Sequence, residues 1–226
     1  MARWIGTAIA LGLLLAFSSL HAQQESDEAR RVRDAAAVFG EIMKAEDNAI
    51  PEAILTEADG IAIFPGLVRA GFIVGGLRGR GILSARNADG WSAPAFLTMT
   101  GGSFGLQIGG QAADIILVIN DRRGLENLVS NQFTLGADAA VAAGPVGRDA
   151  KAATDVQMRA QILSYSRARG LFAGVTINGS TVRQDRDANE RFYGKRLETK
   201  QIVFDRAAGT PAPVSVWLDA LNRYAH

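Results

Sequence analysis

The sequence predicts an α+β fold: a strongly curved, mainly antiparallel, barrel-like β-sheet with an N-terminal amphipathic helix, short connecting helices and a C-terminal helix. Three observations carry this expectation. Phe104, Leu106 and Ile108 alternate with Gly105, Gln107 and Gly109, the period-two signature of a strand with one buried face. Ile115 to Ile119 is apolar on both parities, as a strand covered on both sides is. The glycines spread through these segments permit bulges or close backbone approach, and both curve a sheet.

The elements follow in order. From Ser26 to Lys44, Ala29, Val32, Ala36, Phe39 and Met43 recur at intervals of three and four, while Arg30, Arg31, Arg33 and Lys44 fall largely off that stripe. This is an amphipathic helix capped by Ser26 or Asp27. Ile50-Pro51-Glu52 opens a short second helix through Leu55, ended by Gly60. Ile61 to Phe64 reads as a strand stopped by Pro65-Gly66, and Leu67 to Val74 as another. Gly75 to Gly81, with Arg78 and Arg80 inside it, reads as a glycine-rich hairpin turn. Its glycines and arginines would also suit an anion, but it lacks the Lys followed by Ser or Thr of a nucleotide-binding loop, and the strand-like Ile82 to Arg86 follows it.

Asn87 to Gly90 is a turn, and Trp91-Ser92-Ala93-Pro94 leads into an alternating strand from Ala95 to Met99. Trp91 suits either a membrane interface or packing over the barrel mouth. Asp121 caps a short helix holding Leu125, Leu128 and Val129. Phe133 to Leu135 and Ala139 to Ala143 follow, then an alternating strand from Val156 to Leu163. Asn178-Gly179 signals a two-residue hairpin joining Leu171–Ile177 to Ser180–Arg183. Asp187 to Tyr193 is a helix stopped by Gly194, and the stiff segment Gly209 to Pro213 enters a last helix with Val214, Trp217, Leu218 and Leu221 on one face.

Composition narrows the function. The 226 residues contain no cysteine and two histidines, His21 inside the expected signal segment and His226 at the last position, so Cys-His and Ser-His catalysis and the common zinc sets are effectively excluded for the mature chain. Met1-Ala2-Arg3, the apolar run Trp4 to Phe17 and the stretch ending Leu20-His21-Ala22 match the three regions of a secretory signal, with cleavage expected after Ala22. Without Arg3 the basic and acidic residues balance, so the mature chain has no global field to attract nucleic acid. The internal carboxylates a hydrolase could recruit are Asp114, Asp138, Asp149 and Asp155, and Asp114 is equally suited to bonding turn amides.

The order of motifs resembles the SYLF-domain family, found in bacteria and in eukaryotic lipid- and actin-associated proteins. The landmarks are Ile50-Pro51, Gly60-Ile61-Ala62-Ile63-Phe64-Pro65, Trp91-Ser92-Ala93-Pro94, Phe104 to Gly110, Gly144-Pro145-Val146-Gly147-Arg148, Ser164-Tyr165-Ser166, Gly170 to Gly174, and Asn189 with Phe192-Tyr193-Gly194. They span roughly Ala35 to Gly194. The expected organisation is a signal segment at 1–22, one domain at 23–209 and a C-terminal helix at 210–226.

The resemblance implies binding of phospholipid head groups, assisted by the N-terminal helix, with no enzymatic activity and no cofactor. Where the family often carries a basic residue near the start of the first strand, this chain has Asp59; Arg69 fills a second basic position. The expected ligand is an anionic phospholipid or membrane surface, contacted through Arg30, Arg31, Arg33, Lys44, Arg69, Arg78, Arg80 and Arg148. An envelope scaffold that binds protein partners through sheet edges or terminal helices is the alternative. The expected location is the periplasm or cell envelope, with peripheral membrane association. N-terminal sequencing of the protein from an envelope fraction is expected to begin at Gln23, and an intact Met1 in the bulk of it would overturn the cleavage expectation.

Overall fold

The computed structural model describes residues 25–45, 49–71, 74–104, 111–147, 159–168, 171–175 and 177–225. The expected signal segment, the alternation from Gly105 to Gly109, and Arg148, Asp149, Asp155, Val156 and Met158 lie outside them.

Helices α1 (Asp27–Lys44) and α2 (Glu52–Glu57) precede strands β1 (Gly60–Gly71), β2 (Val74–Asn87), β3 (Gly90–Trp91), β4 (Ala95–Phe104) and β5 (Gln111–Ile119). Helix α3 (Arg122–Leu128) leads to β6 (Gln132–Thr134), β7 (Val141–Ala143), β8 (Ile162–Ala168), β9 (Leu171–Gly174) and β10 (Thr181–Gln184). Helices α4 (Arg186–Tyr193), α5 (Thr199–Val203) and α6 (Ala212–Tyr224) follow. The strands form one strongly curled, half-barrel sheet in the order β6-β10-β4-β2-β1-β5-β8-β7, with β3 on β2 and β9 on β8. The strand pairings are antiparallel except that of β7 with β8.

Alternation along the strands separates two cores. On one face Ile61, Ile63, Ile82, Phe96, Ile116, Val118 and Tyr165 meet Val32, Ala35, Phe39 and Ile42 of α1 and Trp217 and Leu221 of α6. On the other, Phe64, Leu67, Leu83, Leu97, Met99, Ile115, Leu117 and Val182 meet Leu125 and Leu128 of α3 and Ile202 and Val203 of α5. Every residue from Ile115 to Ile119 is buried, as its two apolar parities predict.

Helix α1 begins where the Ser26 hydroxyl accepts the Ala29 N–H at 3.1 Å, with Asp27 and Glu28 at its positive end and Lys44 at its negative end. Its apolar stripe is covered: Phe39 meets Trp217 edge-on at 5.8 Å and Tyr224 at 6.1 Å. Two indoles fasten α6 to the sheet. Trp217 Nε1 donates to Ser84 Oγ at 2.8 Å, and Trp91 Nε1 donates to the Ala225 carbonyl at 2.9 Å. Trp91 is thus buried against the chain terminus, with Arg86 stacked 4.5 Å from its ring.

Four sequence expectations change. Pro65-Gly66 does not stop a strand; β1 continues through it with a shift of register, Gly66 taking φ +58°. Gly75 to Gly81 is not a turn but part of β2, and packing explains its glycines. A Cβ on Gly81 would lie 2.4 Å from the Ile63 carbonyl oxygen, and one on Gly79 3.0 Å from Leu67, so these glycines admit the bulged β1. Asn178-Gly179 does turn the chain, with Gly179 at φ +80°, but β9 pairs with β8 while β10 pairs with β4 and β6. The turn carries the chain between the two ends of the sheet. Of the strand expected from Val156 to Leu163, the described part starts at Arg159, and there β8 begins only at Ile162, opposite Ile119, the last residue of β5.

Gly81→Ala is therefore expected to lower unfolding free energy by about 1–3 kcal/mol, the usual cost of overpacking. Gly76→Ala, which meets only the Gly101 carbonyl oxygen at 4.0 Å, should stay within about 0.5 kcal/mol of the parent. Urea denaturation of both variants measures the difference.

Candidate ligand-binding face of the sheet

Along β2, Leu77 and Leu83 enter the core of α3 and α5, whereas Ile82 enters the core of α1 and α6. Alternation therefore sets Arg78 and Arg80 on the α1 side of the sheet, past the end of the helical cover. Both arginines are exposed. The register continues the patch across the neighbouring strands. Arg78 pairs with Val68 of β1 and Thr100 of β4, and Thr100 pairs with Thr181 of β10. Arg80 pairs with Thr98, which pairs with Arg183. Val68, at 51% exposure, is an uncovered apolar side chain in the first of these rows.

Charge in this patch is unbalanced. Arg78 and Arg80 make no hydrogen bond or ion pair with other described residues. Arg183 donates through Nε and Nη2 to the neutral Gln132 Oε1, at 3.2 and 2.8 Å. Sequence reasoning missed Arg183. The signal was the alternation Thr181-Val182-Arg183 around a buried valine, but only the pairing with β4 brings it beside Arg80.

The α1 cations are placed differently. Arg30 pairs with Asp27 at 2.5 Å, Arg33 pairs with Glu25, and Lys44 is exposed at the last turn. Arg31 is only 7% exposed. It donates to Asp185 Oδ2 at 3.3 Å and lies 5.2 Å over the Phe96 ring. Burial pushes its pKa below the ordinary guanidinium value; Asp185 opposes that and neighbouring Arg80 adds to it. The reason is helical spacing: Glu28, Arg31, Ala35, Val38 and Ile42 form one buried edge of α1.

Arg69 lies on β1 in register with Leu77 and Gln111, one position from Val68. Asp59, at the other end of β1, is ten residues away, about 30 Å in extended chain. These two positions cannot hold one head group. Arg148 is outside the described residues.

Of the candidate carboxylates, the two among the described residues, Asp114 and Asp138, bond within the fold. Asp114 Oδ1 accepts the Gly66 N–H at 2.8 Å, and Oδ2 accepts Arg167 Nε at 2.5 Å, while Arg167 also pairs with Glu41 of α1. Asp138 Oδ2 accepts the Thr134 N–H at 2.6 Å in a turn. Among the described residues no cluster of three or more His, Cys, Asp or Glu could hold a metal ion, and no helix is long and apolar enough to cross a membrane.

A family model described as Ysc84, Las17-binding protein actin regulator, matches residues 100–224. The chain is similar to LAS seventeen-binding protein 3 of Saccharomyces cerevisiae, 36% identical over 170 residues covering 74% of this chain and 37% of that protein. It is also similar to SH3 domain-containing YSC84-like protein 1 of Homo sapiens, 34% identical over 169 residues covering 74% of this chain and 48% of that protein. The chain thus spans less than half the length of these relatives; the yeast protein's name describes binding, and the family description an actin regulator.

Asp59 gives a test by titration. Burial pushes its carboxyl above the ordinary value, with Asp121 adding to the effect and Arg122 and Arg86 opposing it. The folded chain then holds a proton at Asp59 more tightly than the unfolded chain, so stability from this group falls as pH rises from the ordinary carboxylate range through the folded value. Asp59→Asn is expected to raise Tm at neutral pH and to flatten this decline in melts from about pH 4 to 7.

Proposed function

The chain belongs to the Ysc84, or SYLF-domain, family, and from that premise we propose that it is a peripheral phospholipid-binding module of the cell envelope, exported by the segment 1–22. The observation that carries the reading is the pair Arg78 and Arg80, exposed and without an anionic partner among the described residues, beside exposed Val68. A guanidinium offers a fork of donors matched to phosphate oxygens. An adjacent apolar side chain can enter the boundary between head groups and acyl chains. Arg30, Arg33 and Lys44 on the solvent side of α1 provide further cationic contact with the same surface. Nothing in this role requires a catalytic group or cofactor.

A second reading is a protein-interaction scaffold. The relatives' names favour it, since one is a Las17-binding protein, and Leu171 of β9 is 72% exposed at the end of the sheet. Vesicle flotation separates the two. The parent protein is expected to bind anionic vesicles strongly at low salt and weakly at high salt, because exposed charges are screened within about 8 Å at physiological ionic strength. Arg78→Glu with Arg80→Glu should reduce binding more than tenfold, about 1.4 kcal/mol or more, with Tm within a few degrees of the parent. Arg30→Glu with Arg33→Glu should reduce it less; Arg31 is left intact because its loss would unpair Asp185. A parent that binds no vesicle, or binds equally at both salt concentrations, sinks the lipid reading and leaves the scaffold.

A further inference from the structure

The uncovered sheet face also bears on which head group is taken, an inference that rests on the lipid-binding reading. Strand register extends the two rows to β6, where Thr181 pairs with Thr134 and Arg183 with Gln132. On the other side Val68 pairs with Ala112 of β5. The registered positions are therefore arginine, threonine, glutamine, valine and alanine, with no carboxylate among them. The nearest acid on this side along β5 is Asp114, whose two oxygens are taken by the Gly66 N–H and by Arg167. Asp185, at the base of α4, is taken by Arg31 and by the Ala188 N–H.

Spacing lets Arg78, Arg80 and Arg183, none of them paired with a carboxylate among the described residues, act together. Same-face residues on one strand are about 7 Å apart and neighbouring strands about 5 Å apart. Arg78 and Arg80 thus stand about 7 Å apart, and Arg183 stands about 10 Å from Arg80 with Thr98 between them. Arginine side chains are long enough for all three guanidinium groups to reach one anion held above the threonines. Such a site offers three positive charges and several hydroxyl and guanidinium donors to a single ligand. A phosphodiester brings one negative charge and two unbridged oxygens. A phosphomonoester brings about 1.5 to 2 negative charges and three terminal acceptor oxygens.

We infer that this face selects a phosphomonoester head group over a phosphodiester, with Arg78 and Arg80 holding two terminal oxygens and Arg183, Thr98 and Thr100 the third. Arg183 is then the residue that sets specificity, because it closes the side of the site that a second ester substituent would occupy. Without ligand its Nε and Nη2 donate to the neutral Gln132 Oε1 on the far side of β10, so binding exchanges that neutral acceptor for a phosphate oxygen. The ligand is held in a bilayer, since Val68 lies in the same row as Arg78.

The test compares phosphatidylcholine vesicles containing phosphatidic acid with vesicles containing phosphatidylglycerol, adjusted to equal surface potential. The full chain is expected to bind the phosphatidic acid vesicles about tenfold more tightly, the margin of one additional charge-assisted contact. Arg183→Gln should bring the ratio of the two affinities toward one, and Arg183→Lys should restore part of it. The ratio is insensitive to the fraction of protein that is folded. Inorganic phosphate, added at constant ionic strength, should weaken binding to phosphatidic acid more than binding to phosphatidylglycerol. Equal binding to both vesicles, lost in Arg78→Glu with Arg80→Glu, overturns the selectivity and leaves the lipid-binding reading standing. Binding of inorganic phosphate in calorimetry with no binding to either vesicle overturns the bilayer as the source of the phosphate. Absence of all three overturns both readings.

Discussion

The bulge at Pro65-Gly66 is the constraint on which the rest of the sheet depends. Before it, Ile61 and Ile63 point into the core under α1 and α6; after it, Leu67 points into the opposite core and Val68 emerges on the α1 side. The shift of register thus exchanges the faces that the two parities of β1 present. Asp114 fixes the bulge by accepting the Gly66 N–H, and Gly79 and Gly81 on β2 leave room for it. Arg167 joins Asp114 to Glu41, so the same carboxylate ties the bulge to the last part of α1. The helical cover ends near the bulge, and beyond it the α1-side face carries arginine and threonine.

Helix α1 is held along its length by three ion pairs, two to α4 and its N-cap and one to β8. Glu28 meets Arg191 of α4, Arg31 meets Asp185 before α4, and Glu41 meets Arg167 of β8. Burial of Val32, Ala35, Phe39 and Ile42 supplies most of the attraction, since the pairs of Glu28 and Glu41 each have an exposed member and the buried Arg31–Asp185 pair is offset by its desolvation. The pairs instead fix the rotation of the helix. That rotation turns Arg31 inward and leaves Arg30, Arg33 and Lys44 outward, so residues adjacent in sequence have different physical roles.

Local sorting of charge matters more here than the total. The whole chain is formally +1, yet Arg30, Arg33, Arg167, Arg186, Arg191 and Arg206 all face carboxylates within the fold. Arg78 and Arg80 do not, and β-sheet register sets Arg183 beside them. A neutral protein can therefore present a strongly cationic face to one kind of partner without attracting polyanions in general.

The class of fold, the helix caps at Ser26, Asp121 and Gly194, the doubly buried strand from Ile115 to Ile119 and the amphipathic character of α1 and α6 are legible in the amino-acid order, because they follow from short-range periodicity and local hydrogen bonding. That order also marked Arg78 and Arg80, though within an expected turn. Tertiary structure alone decided that Gly75 to Gly81 is strand, that β9 and β10 part to opposite ends of the sheet, that Arg31 is buried and that Arg183 joins the basic face. Each of these depends on pairing between segments far apart in the chain. A two-residue turn such as Asn178-Gly179 specifies a local reversal of direction, but the strands available on either side are chosen by the core they can bury, and that choice is made only when the whole sheet assembles.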